Sequence, residues 1–141
     1  MTVPFVHLRL HSEYSLVDGL VKLKSLVSTT AERRMPALAL TDEANLFGLV
    51  KFYKAAQGAG LKPIIGSDLW LSNPHDEAHP YRITLLAMND VGYRNLTELI
   101  SKGWTDGQRQ GRAILDKQWV LAQSEGLIAL SGGRDGEIGR H

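Results

Sequence analysis

Short apolar runs that alternate with amphipathic segments restrict the possible folds of this chain more than any other feature. The apolar runs have the length of strands, and the segments between them carry apolar residues at helical spacing. Predicted strands cover 5–10, 37–40, 63–71, 81–89 and 126–133, and predicted helices cover 20–34, 46–57, 91–104 and 115–124. This order favours an α/β fold with a mainly parallel sheet. Two architectures stay open, part of a parallel barrel and an open sheet of five strands.

Two of the predicted helices carry apolar stripes, which predict a face that packs against the core. On the segment 91–104 the stripe consists of Leu96, Leu99 and Ile100. On the segment 46–57 the stripe consists of Leu46, Leu49, Val50 and Tyr53. Both stripes are therefore expected to be buried.

The composition excludes several classes of protein. The 141 residues are 43% hydrophobic and 22% charged, as in soluble globular domains, and a formal charge of +1 gives no bulk attraction to nucleic acid. The chain has no cysteine, which excludes disulfides and zinc–thiolate sites. The N-terminus does not follow the pattern of a signal peptide, and no run of about 18 apolar residues is present. We therefore expect a cytoplasmic protein without a membrane segment.

Polar side chains recur where the predicted strands end, which is where ligands bind in α/β folds. These side chains are His11 and Asp18 after the first strand, Asp42 and Glu43 after the second, Asp68 on the third and Arg82 on the fourth. His7, Arg9 and His11 share one face of the first strand, because side chains alternate along a strand. Each of these residues is ordinary at a solvated edge, but their recurrence at successive strands favours a polar pocket.

Three segments closely resemble a known family. Residues 5–20 (FVHLRLHSEYSLVDGL), 36–71 and 85–104 are similar to the PHP (polymerase and histidinol phosphatase) domain at the start of bacterial DNA polymerase III alpha subunits of the proteobacterial type. The resemblance implies a distorted (β/α)7 barrel with mainly parallel strands, of which residues 1–141 would form the N-terminal portion. The polymerase domains would lie outside this chain.

The resemblance also implies a metal site that has lost ligands. Metal-binding members carry His-x-His on the first strand, an Asp before Gly, Thr-Asp-His after the second strand, and then a Glu and a His on the next two strands. The corresponding positions here are Arg9, His11, Asp18, Glu43, Asp68 and Arg82. A guanidinium group has no lone pair to donate, so neither arginine can be a ligand. We expect no bound metal and no catalytic residue in this chain.

The two arginines are instead expected to replace the metal ions as counter-charges. Arg9 and Arg82 would pair with the carboxylates through charge-assisted hydrogen bonds. Breaking a buried ion pair costs about 3–5 kcal/mol, so the removal of Arg9 is expected to destabilise the domain markedly.

The family resemblance implies a replicative polymerase as the parent protein. Such a protein would bind DNA, assemble with the rest of the polymerase holoenzyme and use magnesium in polymerase domains outside this chain. The PHP portion would be a metal-free scaffold and a docking site for the proofreading exonuclease (epsilon) subunit. One alternative is a surviving metal-dependent phosphoesterase or 3'–5' exonuclease with the ligands His11, Asp18, Asp42 and Asp68. A weaker alternative is nucleic-acid contact through Lys102, Arg109 and Arg112.

Overall fold

The structure of this chain is a computed structural model that describes residues 4–141, so residues 1–3 of the predicted domain lie outside the described residues. The α-helices of this range are α1 (Leu23–Glu32), α2 (Leu49–Gly58), α3 (Asp90–Thr105) and α4 (Lys117–Ala122). The strands are β1 (Ala37–Leu40), β2 (Lys62–Leu71), β3 (Tyr81–Ala87), β4 (Gln108–Arg109), β5 (Arg112–Leu115) and β6 (Leu127–Ser131). Short 3-10 helices form at Glu13–Ser15, Gly133–Asp135 and Ile138–Arg140. None of the helices in this range combines the length and the apolar composition that crossing a membrane requires.

Strand β2 lies at the centre of the sheet and sets the register of its neighbours. Along one edge, β2 pairs in parallel with β1 over its first residues and with β5 over its last two. Along the other edge it pairs antiparallel with β3, which in turn pairs antiparallel with β6. The two-residue strand β4 is antiparallel to β5. The ten residues of β2 therefore connect the two halves of the described chain.

The sheet is mostly antiparallel, so the prediction of a mainly parallel sheet was wrong. Strands β2 and β3 are joined by the loop 72–80. A parallel crossover needs about a dozen residues or more, usually with a helix, so this loop returns the chain as an antiparallel neighbour. The structure shows a mixed α/β fold in which helices pack on a mostly antiparallel sheet.

The segment 5–10, predicted as the first strand, does not form a regular strand. It lies beside β1 and accepts two backbone hydrogen bonds, from Ala39 N to His7 O (2.9 Å) and from Thr41 N to Leu10 O (2.9 Å). In the reverse direction, the Leu10 N–H donates to the Thr41 hydroxyl at 2.8 Å and not to a backbone carbonyl. A hydrogen bond to a side chain thus replaces one of the backbone hydrogen bonds of a regular strand pair. The residues after Leu10 still lie next to β2.

Strands β2 and β3 separate an apolar face from a polar face. Leu69 and Leu85 pack against helix α3. The stripe predicted on this helix is buried at Leu96, Leu99 and Ile100, which confirms that prediction. Side chains alternate along a strand, so every second residue of β2 and β3 lies on the face opposite to Leu69 and Leu85. These residues include Asp68, Trp70, Arg82 and Thr84.

Helix α2 buries a different face from the predicted one. Its buried residues are Phe52 and Ala56, which pack in a second cluster with α1 and β1. The predicted stripe is only partly buried at Leu46 and Leu49, and it is exposed by 62% at Val50 and 43% at Tyr53. Two apolar faces compete on this helix, and burying the face that carries Phe52 removes a large aromatic ring from water. The prediction of a buried Val50 and Tyr53 was therefore wrong.

The choice of the buried face of α2 can be tested by comparing two residues of this helix. The substitution Phe52→Ala should lower the free energy of unfolding by about 3–5 kcal/mol, because it leaves a cavity in the core. The substitution Val50→Ala, at an exposed position, should change it by no more than about 0.5 kcal/mol. Chemical denaturation of both variants measures the difference, and equal costs would contradict this packing of α2.

Candidate functional site

A buried carboxylate on β2 is the centre of the candidate site. The side chain of Asp68 is 0% exposed. Its Oδ2 lies 2.6 Å from Arg9 Nε, 2.5 Å from His11 Nε2 and 3.4 Å from the Arg82 guanidinium, and the Thr84 hydroxyl donates to Oδ1. Burial raises the pKa of Asp68, but the hydrogen bonds from His11 and Thr84 and the charge of Arg9 outweigh burial and hold the pKa below its ordinary value.

His11 bridges two carboxylates. Its Nε2 faces Asp68, and its Nδ1 lies 2.8 Å from Asp18 Oδ2. Both ring nitrogens therefore donate, which requires the protonated imidazolium. The pKa of His11 is raised above its ordinary value, and the largest cause is the hydrogen bond with Asp68. Burial lowers this pKa by a smaller amount, and the hydrogen bond with Asp18 raises it further. At Asp18, burial raises the pKa, but the hydrogen bond and charge of His11 bring it below its ordinary value.

Arg82 connects the central carboxylate to a second one. Its guanidinium lies 3.2 Å from Glu43 Oε2, and its side chain is only 11% exposed. The guanidinium carbon also lies 4.0 Å from the ring centroid of Trp70, a cation–π geometry. The indole Nε1 of Trp70 donates to Glu43 Oε1 at 3.0 Å. Trp70 and Arg82 meet because they are directly opposite in the register of β2 and β3.

These contacts join six residues, which we call the ion-pair cluster: Arg9, His11, Asp18, Glu43, Asp68 and Arg82. Three carboxylates face two guanidiniums and one imidazolium, so the charges of the cluster balance. The structure thus brings together all six positions that the sequence singled out. The remaining histidine of the N-terminal segment, His7, is exposed and packs edge-on against Phe5 with 4.7 Å between ring centroids.

Asp42 lies beside the ion-pair cluster but is bound elsewhere. Its Oδ1 accepts a hydrogen bond from the Ser12 N–H at 2.6 Å, and its Oδ2 accepts one from the Ser12 hydroxyl at 2.8 Å. Its backbone carbonyl accepts one from the Ser67 hydroxyl at 2.7 Å. Burial raises the pKa of Asp42 above its ordinary value in spite of the bonds from Ser12. Asp42 therefore anchors the turn that follows His11.

The donor set of the ion-pair cluster does not fit a metal ion. The Oδ2 atom of Asp68, which would have to ligate a cation, is already within hydrogen-bond distance of Arg9, His11 and Arg82. The guanidiniums have no lone pair, and their charges repel a cation. Within residues 4–141, no group of three or more His, Cys, Asp or Glu side chains is arranged to hold a metal ion.

Of the three cations considered for nucleic-acid contact, only Arg109 and Arg112 are direct neighbours in the register of β4 and β5. Each has a separate partner: Lys102 lies 4.4 Å from the Trp119 ring centroid, Arg109 pairs with Glu77 at 3.5 Å, and Arg112 lies 5.3 Å from the Trp70 ring centroid. A nucleic-acid site needs several cations that follow a phosphate backbone. The geometry therefore gives this alternative no support.

Thr84 and Trp70 contribute to the site although the sequence analysis did not single them out. Thr84 is directly opposite Asp68 in the register, and Trp70 is opposite Arg82. A signal was available, because each residue follows a predicted site residue by two positions on the same strand face. It could be used only once the two strands were known to form an antiparallel pair with this register.

Comparison with known proteins agrees with this geometry at the level of the fold. The family model described as the PHP domain matches residues 7–141. An amidohydrolase from Chromobacterium violaceum, solved with bound sulfate and no metal, superposes with a TM-score of 0.52 at 23% identity, over 69% of this chain and 34% of that one. The chain belongs to the PHP domain family.

Relatives with high identity to this chain include DNA polymerase III alpha subunits. The chain is 58% identical to the DNA polymerase III subunit alpha of Pseudomonas aeruginosa over 139 residues and 51% identical to that of Escherichia coli K12 over 136 residues. These alignments cover 99% and 96% of this chain. The matched part is the N-terminal region of these relatives, and the chain spans about 12% of their length.

The two arginines of the ion-pair cluster should differ in their effect on stability. Arg82 is nearly buried and holds two carboxylates, so Arg82→Ala should cost about 3 kcal/mol of unfolding free energy. Arg9 is 52% exposed, not buried as the sequence suggested, and its pair is screened by solvent. Arg9→Ala should therefore cost only about 1 kcal/mol. Chemical denaturation measures the unfolding free energy of both variants. A larger loss of unfolding free energy for Arg9→Ala than for Arg82→Ala would refute the prediction.

The bridge made by His11 predicts a dependence of stability on pH. The folded-state pKa of His11 is raised above its unfolded value of about 6.5, so the stabilisation is complete below that pH and is lost as the pH rises through the folded-state pKa. NMR titration of the His11 imidazole should give a pKa above about 6.5. In the control variant Asp18→Asn this pKa should fall. A wild-type value at or below the ordinary one would contradict the bridge.

Proposed function

We propose that this chain is the PHP region of a DNA polymerase III alpha subunit, and that the region is a metal-free scaffold and a docking site for the proofreading exonuclease (epsilon) subunit. The parent protein would be a cytoplasmic DNA-directed DNA polymerase of chromosomal replication. Its high identity to alpha subunits from two proteobacteria supports this assignment. The rest of the polymerase holoenzyme and DNA would be its further partners.

The fold proposed for the intact region is the distorted (β/α)7 barrel of its family. Residues 1–141 would supply the N-terminal portion, and the polymerase domains would follow it. The match of the PHP family model to residues 7–141 supports this division. The catalytic carboxylates and magnesium ions of nucleotide transfer would belong to those later domains, where magnesium neutralises the charge of the transferred phosphoryl group.

A single observation carries the scaffold proposal: guanidinium groups occupy the hydrogen-bonding positions around Asp68. Arg9 and Arg82 lie 2.6 and 3.4 Å from the oxygen that a metal ion would need. The balanced charges of the ion-pair cluster remove the electrostatic demand for a divalent cation. We therefore regard Arg9, His11, Asp18, Glu43, Asp68 and Arg82 as vestigial metal-site positions with a structural role.

The alternative function is a residual metal-dependent phosphoesterase or 3'–5' exonuclease. Its reduced ligand set would be His11, Asp18, Asp42 and Asp68. The geometry disfavours this set, because both carboxylate oxygens of Asp42 accept hydrogen bonds from Ser12 and both ring nitrogens of His11 face carboxylates. A metal could bind only after these contacts had broken and His11 had lost a proton.

Metal content and partner binding test the proposal on the full-length polymerase subunit. Elemental analysis should find zinc and manganese far below stoichiometric amounts, and added zinc or manganese should leave the melting temperature unchanged and produce no phosphoesterase activity. The same preparation should bind the proofreading exonuclease subunit. Stoichiometric metal together with phosphoesterase activity would establish the alternative. Failure to bind the exonuclease would refute the docking role.

A further inference from the structure

The charges of this chain are unevenly distributed, although its formal net charge is only +1. Helices α1 and α2 with their flanking residues, 22–34 and 49–58, contain six of the 16 lysines and arginines but only one of the 15 aspartates and glutamates, Glu32. The rest of the chain has ten cations and fourteen carboxylates and is net negative. This pair of helices therefore carries a local excess of five positive charges.

The six cations are all exposed, and we call the surface that they form the basic face: Lys22, Lys24, Arg33, Arg34, Lys51 and Lys54. Among residues 4–141, none of the six has a carboxylate within 4.0 Å. Lys51 donates to the neutral hydroxyl of Tyr14 at 3.2 Å, and Glu13 on the neighbouring 3-10 helix makes no ion pair with the basic face. The positive charge of this face is therefore available to an external anion.

The fold directs the cations of both helices to the same side of the domain. Leu23 and Val27 of α1 pack with Phe52 and Ala56 of α2 in one apolar cluster, so the opposite surfaces of the two helices face solvent. Strand β1 is parallel to β2, and the segment 5–10 runs parallel to β1. Each helix returns the chain between two such segments, so α1 and α2 run parallel to each other.

The parallel helices arrange the cations in a row that matches the spacing of phosphates. Lys24 lies where α1 begins and Arg33 where it ends, and Lys51 and Lys54 lie three residues apart on α2. The ten residues of α1 span about 15 Å. The phosphates of one strand of a DNA duplex recur about every 3.4 Å along the axis, so the basic face covers about four of them.

The surface between the two ends of α1 also suits phosphate. Its exposed residues include the hydroxyl-bearing Ser25, Ser28 and Thr29. Serine and threonine hydroxyls donate hydrogen bonds to phosphate oxygens in protein–DNA complexes, alongside lysine and arginine. The helix therefore offers both the charges and the neutral donors that such contacts use.

We infer that the basic face binds the phosphate backbone of duplex DNA, independently of base sequence. This inference rests on the polymerase assignment proposed above and adds a DNA contact within this region. Cations that bind phosphates release counterions from the duplex, so the contact would weaken steeply with salt.

The composition of the basic face distinguishes duplex DNA from two other occupants. Lysine is depleted at protein–protein interfaces, and four of the six cations are lysines, which disfavours an acidic protein surface. Single-stranded DNA is bound by stacking of successive bases on aromatic side chains. On α1 and α2 the exposed aromatic side chain is Tyr53, whose hydroxyl accepts a hydrogen bond from Gln57 at 2.9 Å. A single ring does not form a stacking platform.

Fluorescence anisotropy of a labelled primer–template duplex with the full-length polymerase subunit tests this contact. The double substitution Lys24→Gln and Lys54→Gln should weaken binding at low salt by about tenfold or more. The slope of log K against log salt should become shallower by about two, because each lost phosphate contact removes about one. The matched control, Arg94→Gln with Arg134→Gln, removes two exposed cations outside the basic face and should leave affinity and slope unchanged. Equal melting temperatures of the variants would verify that they fold.

Acetylation of lysines gives a second measurement on the unsubstituted subunit. Lys24 and Lys54 should react in the free subunit, and the duplex should protect both. Protection already without DNA would show that another part of the polypeptide covers the basic face, and would overturn the inference. Unchanged duplex binding by the Lys24→Gln and Lys54→Gln variant would overturn the inference and keep the polymerase assignment. Absence of duplex binding by the unsubstituted subunit would overturn both.

Discussion

The buried carboxylate of Asp68 is the constraint on which the arrangement of this domain depends. An ionised carboxylate without partners is very costly to bury, and Asp68 stays below its ordinary pKa only because donors surround it. Two of these donors, Arg9 and His11, come from the N-terminal segment, which is not a regular strand. The electrostatic demand of one residue on β2 therefore contributes to holding the N-terminal segment against the sheet edge, where few ladder bonds are available.

Cations that are covalently part of the chain give a site different properties from a dissociable metal ion. A metal ion can leave, exchange and activate water, whereas the guanidiniums of Arg9 and Arg82 remain charged at every physiological pH and donate only hydrogen bonds. A buried ion-pair network is not by itself strong evidence of stability, because desolvation offsets much of the attraction. The ion-pair network instead fixes the geometry of the site. Arg82 connects β3 to Glu43 and Asp68, and His11 connects Asp18 to Asp68.

The six members of the ion-pair cluster were singled out by the family resemblance and not by residue chemistry alone, which gave a different set of strand-end side chains that included Asp42. The structure places the six side chains together, whereas the direction of the strands was mispredicted. The direction of β3 was mispredicted because it depends on the length of the 72–80 loop, which apolar periodicity does not report. The buried face of α2 was mispredicted because two apolar stripes on one helix differ only in how they fit the tertiary core. Thr84 and Trp70 were missed because cross-strand register is a tertiary property.

Trp70 extends the ion-pair cluster to a third strand. The guanidinium carbons of Arg82 on β3 and Arg112 on β5 lie 4.0 Å and 5.3 Å from the ring centroid of Trp70 on β2, and the indole donates to Glu43. One aromatic ring therefore connects side chains of three strands by cation–π geometry, in addition to the backbone hydrogen bonds of the sheet. Because the partners of each charged group come from different elements, the arrangement of the cluster follows from the tertiary fold, and a change at Trp70 would affect the positions of both arginines.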